Sequence, residues 1–391
     1  MERFVQKALS TLLILFFAGI IHAQNGVDYQ NRMILNATYI CKQSSVKSYY
    51  SFNSKGLSIY KSPQDKKNNK PEFYVPFSEF GLLDTLLNTL SIDTLLKIYA
   101  NTKGTSLRNN STTSNLKYPQ KKQSLKGAKI AIDPGHIANT MQHANLEGKS
   151  LQLSVRNNPE LKEPIELMEG RLTFGTALLL KEMLQKEGAE VMLTRDFAGK
   201  SSFNASFEEW LNSDSSGYKG KKLSEEQLKI AFMKKFNNVD LINRVKKINN
   251  FNPDLTIVIH YNVDENNSPW TKVGSKNFTM TFIGGALWEN DMDNKRNRFH
   301  LMRMLLSNDL QESEKAASHT VIALSNKLDI PIAKESDASY LTEKCLKSNS
   351  EGVYPRNLAL TRLVLGPLVY GEALYQDNKE ECIKLSKPDF L

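Results

Sequence analysis

The chain has 391 residues, 40% of them hydrophobic and 24% charged, a composition that fits a folded globular protein and excludes wholesale disorder. Its length suits one large α/β unit with a smaller appendage. The net charge of +9 favours polyanionic surroundings, an anionic cell wall as much as nucleic acid, but no basic helix or aromatic platform of a nucleic-acid binder accompanies it.

Residues 1–7 form a short, weakly basic start, and residues 8–21 an apolar run too brief to cross a bilayer comfortably. With the small Ala23 at the cut, this pattern predicts a signal peptide over residues 1–23, and hence export to the periplasm or the cell exterior. An uncleaved anchor is the competing reading. Removal of Glu2, Arg3 and Lys7 with the peptide would lower the net charge from +9 to +8. No later stretch is apolar enough to span a membrane, so no stable insertion is expected after cleavage. Cys41, Cys345 and Cys382 allow at most one intramolecular disulfide, and their spacing does not suggest a metal knuckle.

Residues 24–100 form an N-terminal region to which no chemistry can be assigned. It alternates at 56–60 and is apolar from 80 to 99. Residues 101–125 carry five basic residues, no acidic one, and many Asn, Ser and Thr, which predicts a polar linker.

The main unit is expected over 126–391. A buried strand at 128–132 runs into Asp133-Pro134-Gly135-His136, where proline and glycine end the strand and place His136 just beyond it. In 169–187, Leu172, Leu179, Leu180, Met183 and Leu184 recur at helical spacing, and Gly188 closes the helix before a strand at 190–193. A polar insertion from 197 to 238 contains Ser224-Glu225-Glu226-Gln227, the pattern of a helix capping box. A helix at 239–250 leads to an apolar strand at 255–259 that delivers His260. A strand at 278–283, a long helix at 294–328 and a short strand at 368–370 near Glu372 complete the order. Strand, helix, strand in this sequence predicts an α/β fold with a mostly parallel central sheet flanked by helices.

Open sheets of this kind gather functional groups at the carboxyl ends of their strands, so His136 and His260 should share a crevice that Glu169 reaches from the start of its helix. Two histidines and a carboxylate leave a fourth coordination position on zinc for water, with Glu372 at hand as base. Taken singly, a histidine at a strand end is more often a structural hydrogen-bonder, and a glutamate at a helix start is favoured by the helix dipole alone. Glu372 beside an apolar strand has a bland reading too, as the partner of a basic neighbour.

Four ordered blocks, however, resemble the zinc-dependent N-acetylmuramoyl-L-alanine amidases. They are K-I-A-I-D-P-G-H at 129–136, the glutamate-led stretch from 169 to the Thr-Arg at 194–195, the block at 243–262 ending I-V-I-H-Y-N, and V-Y-G-E-A-L-Y-Q-D-N-K-E-E at 369–381. The resemblance covers about residues 126–385. It implies that His136, Glu169 and His260 hold Zn2+, that Glu372 is the catalytic carboxylate, and that the substrate is the amide joining N-acetylmuramic acid to L-alanine in peptidoglycan. Asp133 could orient His136 from behind, and Arg356 and Asn262 could contact substrate, Arg356 through a stem-peptide carboxylate. The chain departs from the family at Ile137-Ala138-Asn139, where paired glycines are usual, at Tyr261 in place of a small residue, and at Ala373-Leu374-Tyr375 after Glu372. Two other functions remain open at this stage, an inactive peptidoglycan-binding regulator and a zinc hydrolase of a different amide. A protein activator is also conceivable, as is a regulatory role for the helix at 294–328.

Overall fold

In the computed structural model the described residues are 26–87, 90, 92–102 and 125–387. The expected signal peptide lies outside them, as does the expected linker except for residues 101, 102 and 125. The first two of these belong to a helix.

The central sheet has six strands in the order β10-β9-β11-β8-β4-β7. These are β4 (Lys129–Pro134), β7 (Glu190–Leu193), β8 (Leu255–Asn262), β9 (Met280–Ile283), β10 (Val353–Pro355) and β11 (Leu368–Tyr375). β7, β4, β8 and β11 are parallel to one another. β9 runs antiparallel to β11, and β10 follows β9. The sheet is therefore mostly parallel, as the strand-helix-strand order predicts.

β8 is a near-continuous apolar run because it is covered on both faces. Ile130, Ile132, Ile259 and Tyr261 point into one apolar cluster, and Ala131, Val258 and Leu368 into another on the opposite face. The first face is covered by the helix Glu169–Lys186 and, over β9 to β11, by the helix Asp309–Leu328. The second face is covered in part by the helix Asn237–Phe251.

Most expected elements form, with shifted bounds. β8 continues through His260 to Asn262, and β11 runs past Glu372 to Tyr375, so both side chains stand within strands. On the helix Glu169–Lys186 the buried stripe is Leu172, Thr173, Ala177 and Leu184, whereas Leu179 is exposed. The expected single helix at 294–328 is two, Lys295–Leu306 and Asp309–Leu328, broken at Ser307-Asn308. Both pack into the core, the second through Leu310, Ala316, Ala317 and Val321. The polar insertion has its own apolar centre of Phe207, Trp210, Phe232 and Phe236, and Ser224 caps its helix Glu225–Ile230 as its sequence predicts.

The N-terminal region contains the helix Gly26–Ile40, a three-stranded antiparallel sheet of β1 (Tyr50–Phe52), β2 (Gly56–Ile59) and β3 (Phe73–Pro76), and the helices Phe80–Leu87 and Ile92–Thr102. It shares one apolar cluster with the main unit, from Met33 and Phe73 to Phe299, Leu305 and Val369. Polar contacts secure the junction. Asn36 Nδ2 donates to the carbonyls of Met304, Leu305 and Ser307 at 2.8, 3.1 and 3.1 Å, where a helix end leaves them without intrahelical partners. Arg298 forks onto Glu72 at 2.6 and 3.0 Å. Cys41, Cys345 and Cys382 are all free thiols. Among the described residues no helix is long and apolar enough to cross a membrane.

Candidate metal centre

β4 ends in a loop whose backbone is fixed from every side. His136 takes the left-handed conformation (φ 57°), which is costly for a residue with a side chain and needs support. Arg244 donates to the carbonyls of Pro134 (2.7 Å) and His136 (3.1 Å), and Arg195 to that of Pro134 (3.2 Å). Glu147 accepts from the amides of Ile137 (3.2 Å) and Ala138 (3.1 Å). The buried Glu147 also lies 3.2 Å from His136 Nδ1, so a proton on Nδ1 donates to it and leaves Nε2 as a lone pair facing inward.

His136 Nε2 is 3.3 Å and His260 Nδ1 2.9 Å from one oxygen of Glu169, Oε1. Glu169 opens its helix, fully buried, and its Oε1 also accepts the Tyr261 amide at 3.2 Å. One donor atom from each of the three side chains falls within 4.8 Å of the others, and His136 Nε2 is buried without a hydrogen-bond partner. Two imidazole nitrogens and a carboxylate oxygen suit zinc, and a buried ring nitrogen with no hydrogen-bond partner is free to act as a ligand. The residues fit the ion.

Gly135 makes the approach possible. A methyl group built there would overlap the His260 ring. The same ring stacks on Tyr370, with centroids 4.5 Å apart.

Glu372 is directly across from His260 in the β11–β8 register, on the face that bears Tyr370. Burial, and then the charge of Glu169, push its carboxyl up to about 8. Glu169 itself is held well below the usual carboxylate range, because His136 and Lys149 outweigh the cost of burying it. Burial draws His260 down to about 4. In His136 burial acts the same way, but Glu169 and Glu147 prevail and raise it.

The other expected site residues divide. Asp133 does not touch the His136 ring. It accepts hydrogen bonds from Thr194 and from Arg244 Nη1 (3.2 Å), and so reaches His136 only through the arginine that holds the backbone. The carboxylate behind the ring is Glu147, at the end of the helix Met141–Glu147, a stretch with no motif to mark it in sequence. Asn262 donates to the Tyr340 hydroxyl at 2.7 Å. Arg356 packs on Phe282 and Tyr340, its guanidinium carbon 4.6 and 4.9 Å from the ring centroids. Its charge acts on Glu372.

A pair of imidazoles with one carboxylate that could hold a metal ion, set beside a second carboxylate of raised pKa on an α/β sheet, makes this a candidate hydrolytic metal centre. The family model described as N-acetylmuramoyl-L-alanine amidase matches residues 130–391, and the chain belongs to that family. Its enzyme class is that of the peptidoglycan amidases. No curated protein matches the chain. Solved structures similar to it include the CwlD amidase of Clostridioides difficile in complex with the GerS lipoprotein, at 17% identity over 68% of this chain and 90% of that one, with a TM-score of 0.33. The apo Ami1 amidase of Mycobacterium abscessus aligns at 14% identity over 68% and 92%, with a TM-score of 0.34. AmiC2 of Nostoc punctiforme aligns at 13% over 68% and 89%, with a TM-score of 0.33.

Proposed function

We propose that this chain is an exported zinc enzyme that hydrolyses the amide between N-acetylmuramic acid and the L-alanine of peptidoglycan stem peptides, in cell-wall turnover or cell separation. The observation that carries the reading is the convergence of His136 Nε2, Glu169 Oε1 and His260 Nδ1 beside Glu372.

When bound, zinc would polarise the carbonyl and lower the pKa of a water to about 7. Glu372 accepts a proton from the attacking water and returns it to the amine nitrogen as the C–N bond breaks. The products are a lactyl carboxylate on the sugar and a peptide with a free amino group. Glu147 keeps His136 in the required tautomer. His260, Tyr370 and Phe282 lie on neighbouring strands of one sheet face, and Arg356 stands beyond Phe282. Glu372 thus lies between the ligand histidines and Arg356. The departing peptide, protonated by Glu372, extends toward Arg356, whose guanidinium meets a stem-peptide carboxylate, with Asn262 and Tyr340 beside it.

The test uses the purified chain, its zinc content and mass spectrometry of the fragments released from sacculi. About one zinc per chain and new amino-terminal L-alanine support the reading. Sacculi bound but left intact would favour a regulator, and new amino groups with the muramoyl amide preserved would move the enzyme to another bond.

A further inference from the structure

Lys149 has no counterpart in the four sequence blocks, and yet it touches the metal centre twice. It stands just before β5 (Ser150–Leu153), which pairs with β6 (Ile165–Met168) so that Ser150 faces Met168. This hairpin sets Lys149 beside Glu169. The Lys149 carbonyl accepts the Glu169 amide at 3.2 Å, and the Lys149 ammonium lies 3.2 Å from Glu169 Oε2. The ammonium also lies over the Trp270 ring, 5.0 Å from its centroid.

The two oxygens of Glu169 are therefore divided. Oε1 faces both histidines, and Oε2 faces Lys149. A carboxylate can occupy one position on zinc or two, and a second would be taken from the water or the substrate carbonyl. We infer that Lys149 is a positioning residue that holds Glu169 to a single coordinating oxygen and so keeps a place open for reaction. Its charge also acts on Glu372 across the site. This inference rests on the zinc reading above but not on the identity of the substrate.

Cobalt substitution tests it, because the visible absorption of bound Co2+ weakens as coordination rises from four to five. Lys149→Met is expected to keep the metal, show a weaker cobalt band than the wild type, and lose about tenfold to a hundredfold in kcat with a smaller change in KM. Lys149→Arg, which restores a cation, should return the band and most of kcat. A Lys149→Met protein with a wild-type cobalt spectrum and kcat would overturn the proposal. So would a variant that melts at the wild-type temperature but no longer binds cobalt, since Lys149 would then serve to retain the ion. If the wild type takes up no cobalt, the metal reading falls, and this one with it. If it takes up cobalt but leaves sacculi intact, only the substrate is wrong and the spectral comparison stands.

Discussion

Glu372 carries a cost that can be measured apart from catalysis. Its carboxyl, raised to about 8 in the ion-free chain by burial and by Glu169, starts from an ordinary value of 4.5. Between those values the folded state holds more protons than the unfolded one, so stability falls as pH rises through the interval. Glu372→Gln should abolish hydrolysis by about 10²- to 10⁴-fold. In the metal-free protein it should also raise the melting temperature more at pH 8.5 than at pH 5, as calorimetry would record; an equal change at both would refute the assignment of a costly charge. Glu147→Ala should weaken zinc binding by about 10- to 100-fold, measured against a competing chelator. Sequence exposes His136, His260 and Glu372 because each comes at or just after the end of a short apolar run, and Glu169 because it leads a periodic helix. Glu147 and Lys149 stay hidden because the alternation Ser150-Leu151-Gln152-Leu153 marks a strand but not what it pairs with, and what brings these two to the site is a short helix and a hairpin.

Elements were legible where their hydrophobic period was clean. β4, β7 and β8 and the helices Glu169–Lys186 and Asn237–Phe251 follow from the apolar runs and their Gly or Asn-Pro stops. The expected helix at 294–328 breaks because Ser307 adopts extended backbone (φ −77°, ψ 163°), a local choice that helical spacing on either side does not reveal. The break leaves carbonyls that Asn36 satisfies from a helix about 270 positions earlier. Asn36→Ala should therefore destabilise the fold by about 1–3 kcal/mol through unpaired buried carbonyls, seen as a lower denaturant midpoint at unchanged slope. An unchanged midpoint would mean that water reaches the helix end. The helix Asp309–Leu328 lies on β9 to β11 as part of the core, so it is not a detachable cover over the site.

At the scale of the molecule, sequence predicts a main unit preceded by a region of unassigned role, and the structure gives that region one definite task. It supplies Met33, Tyr39, Phe73 and Tyr99 to the same apolar cluster as Phe299, Leu305 and Val369. That union was not legible because sequence periodicity identifies which face of an element is apolar but not which distant element covers it. A protein lacking residues 26–102 is expected to lose its cooperative thermal transition, since the helix Lys295–Leu306 would be stripped on one side; a sharp transition in that truncation would show the main unit to be self-sufficient. The bond from Asn36 to Met304 spans 268 residues. At the usual pace of synthesis, about 5–20 residues per second, the helix Gly26–Ile40 emerges roughly 13–54 s before its partner exists. For that interval the side of it that meets the helix Lys295–Leu306 has no native surface to rest on, and it stays uncovered until nearly four-fifths of the chain has been made.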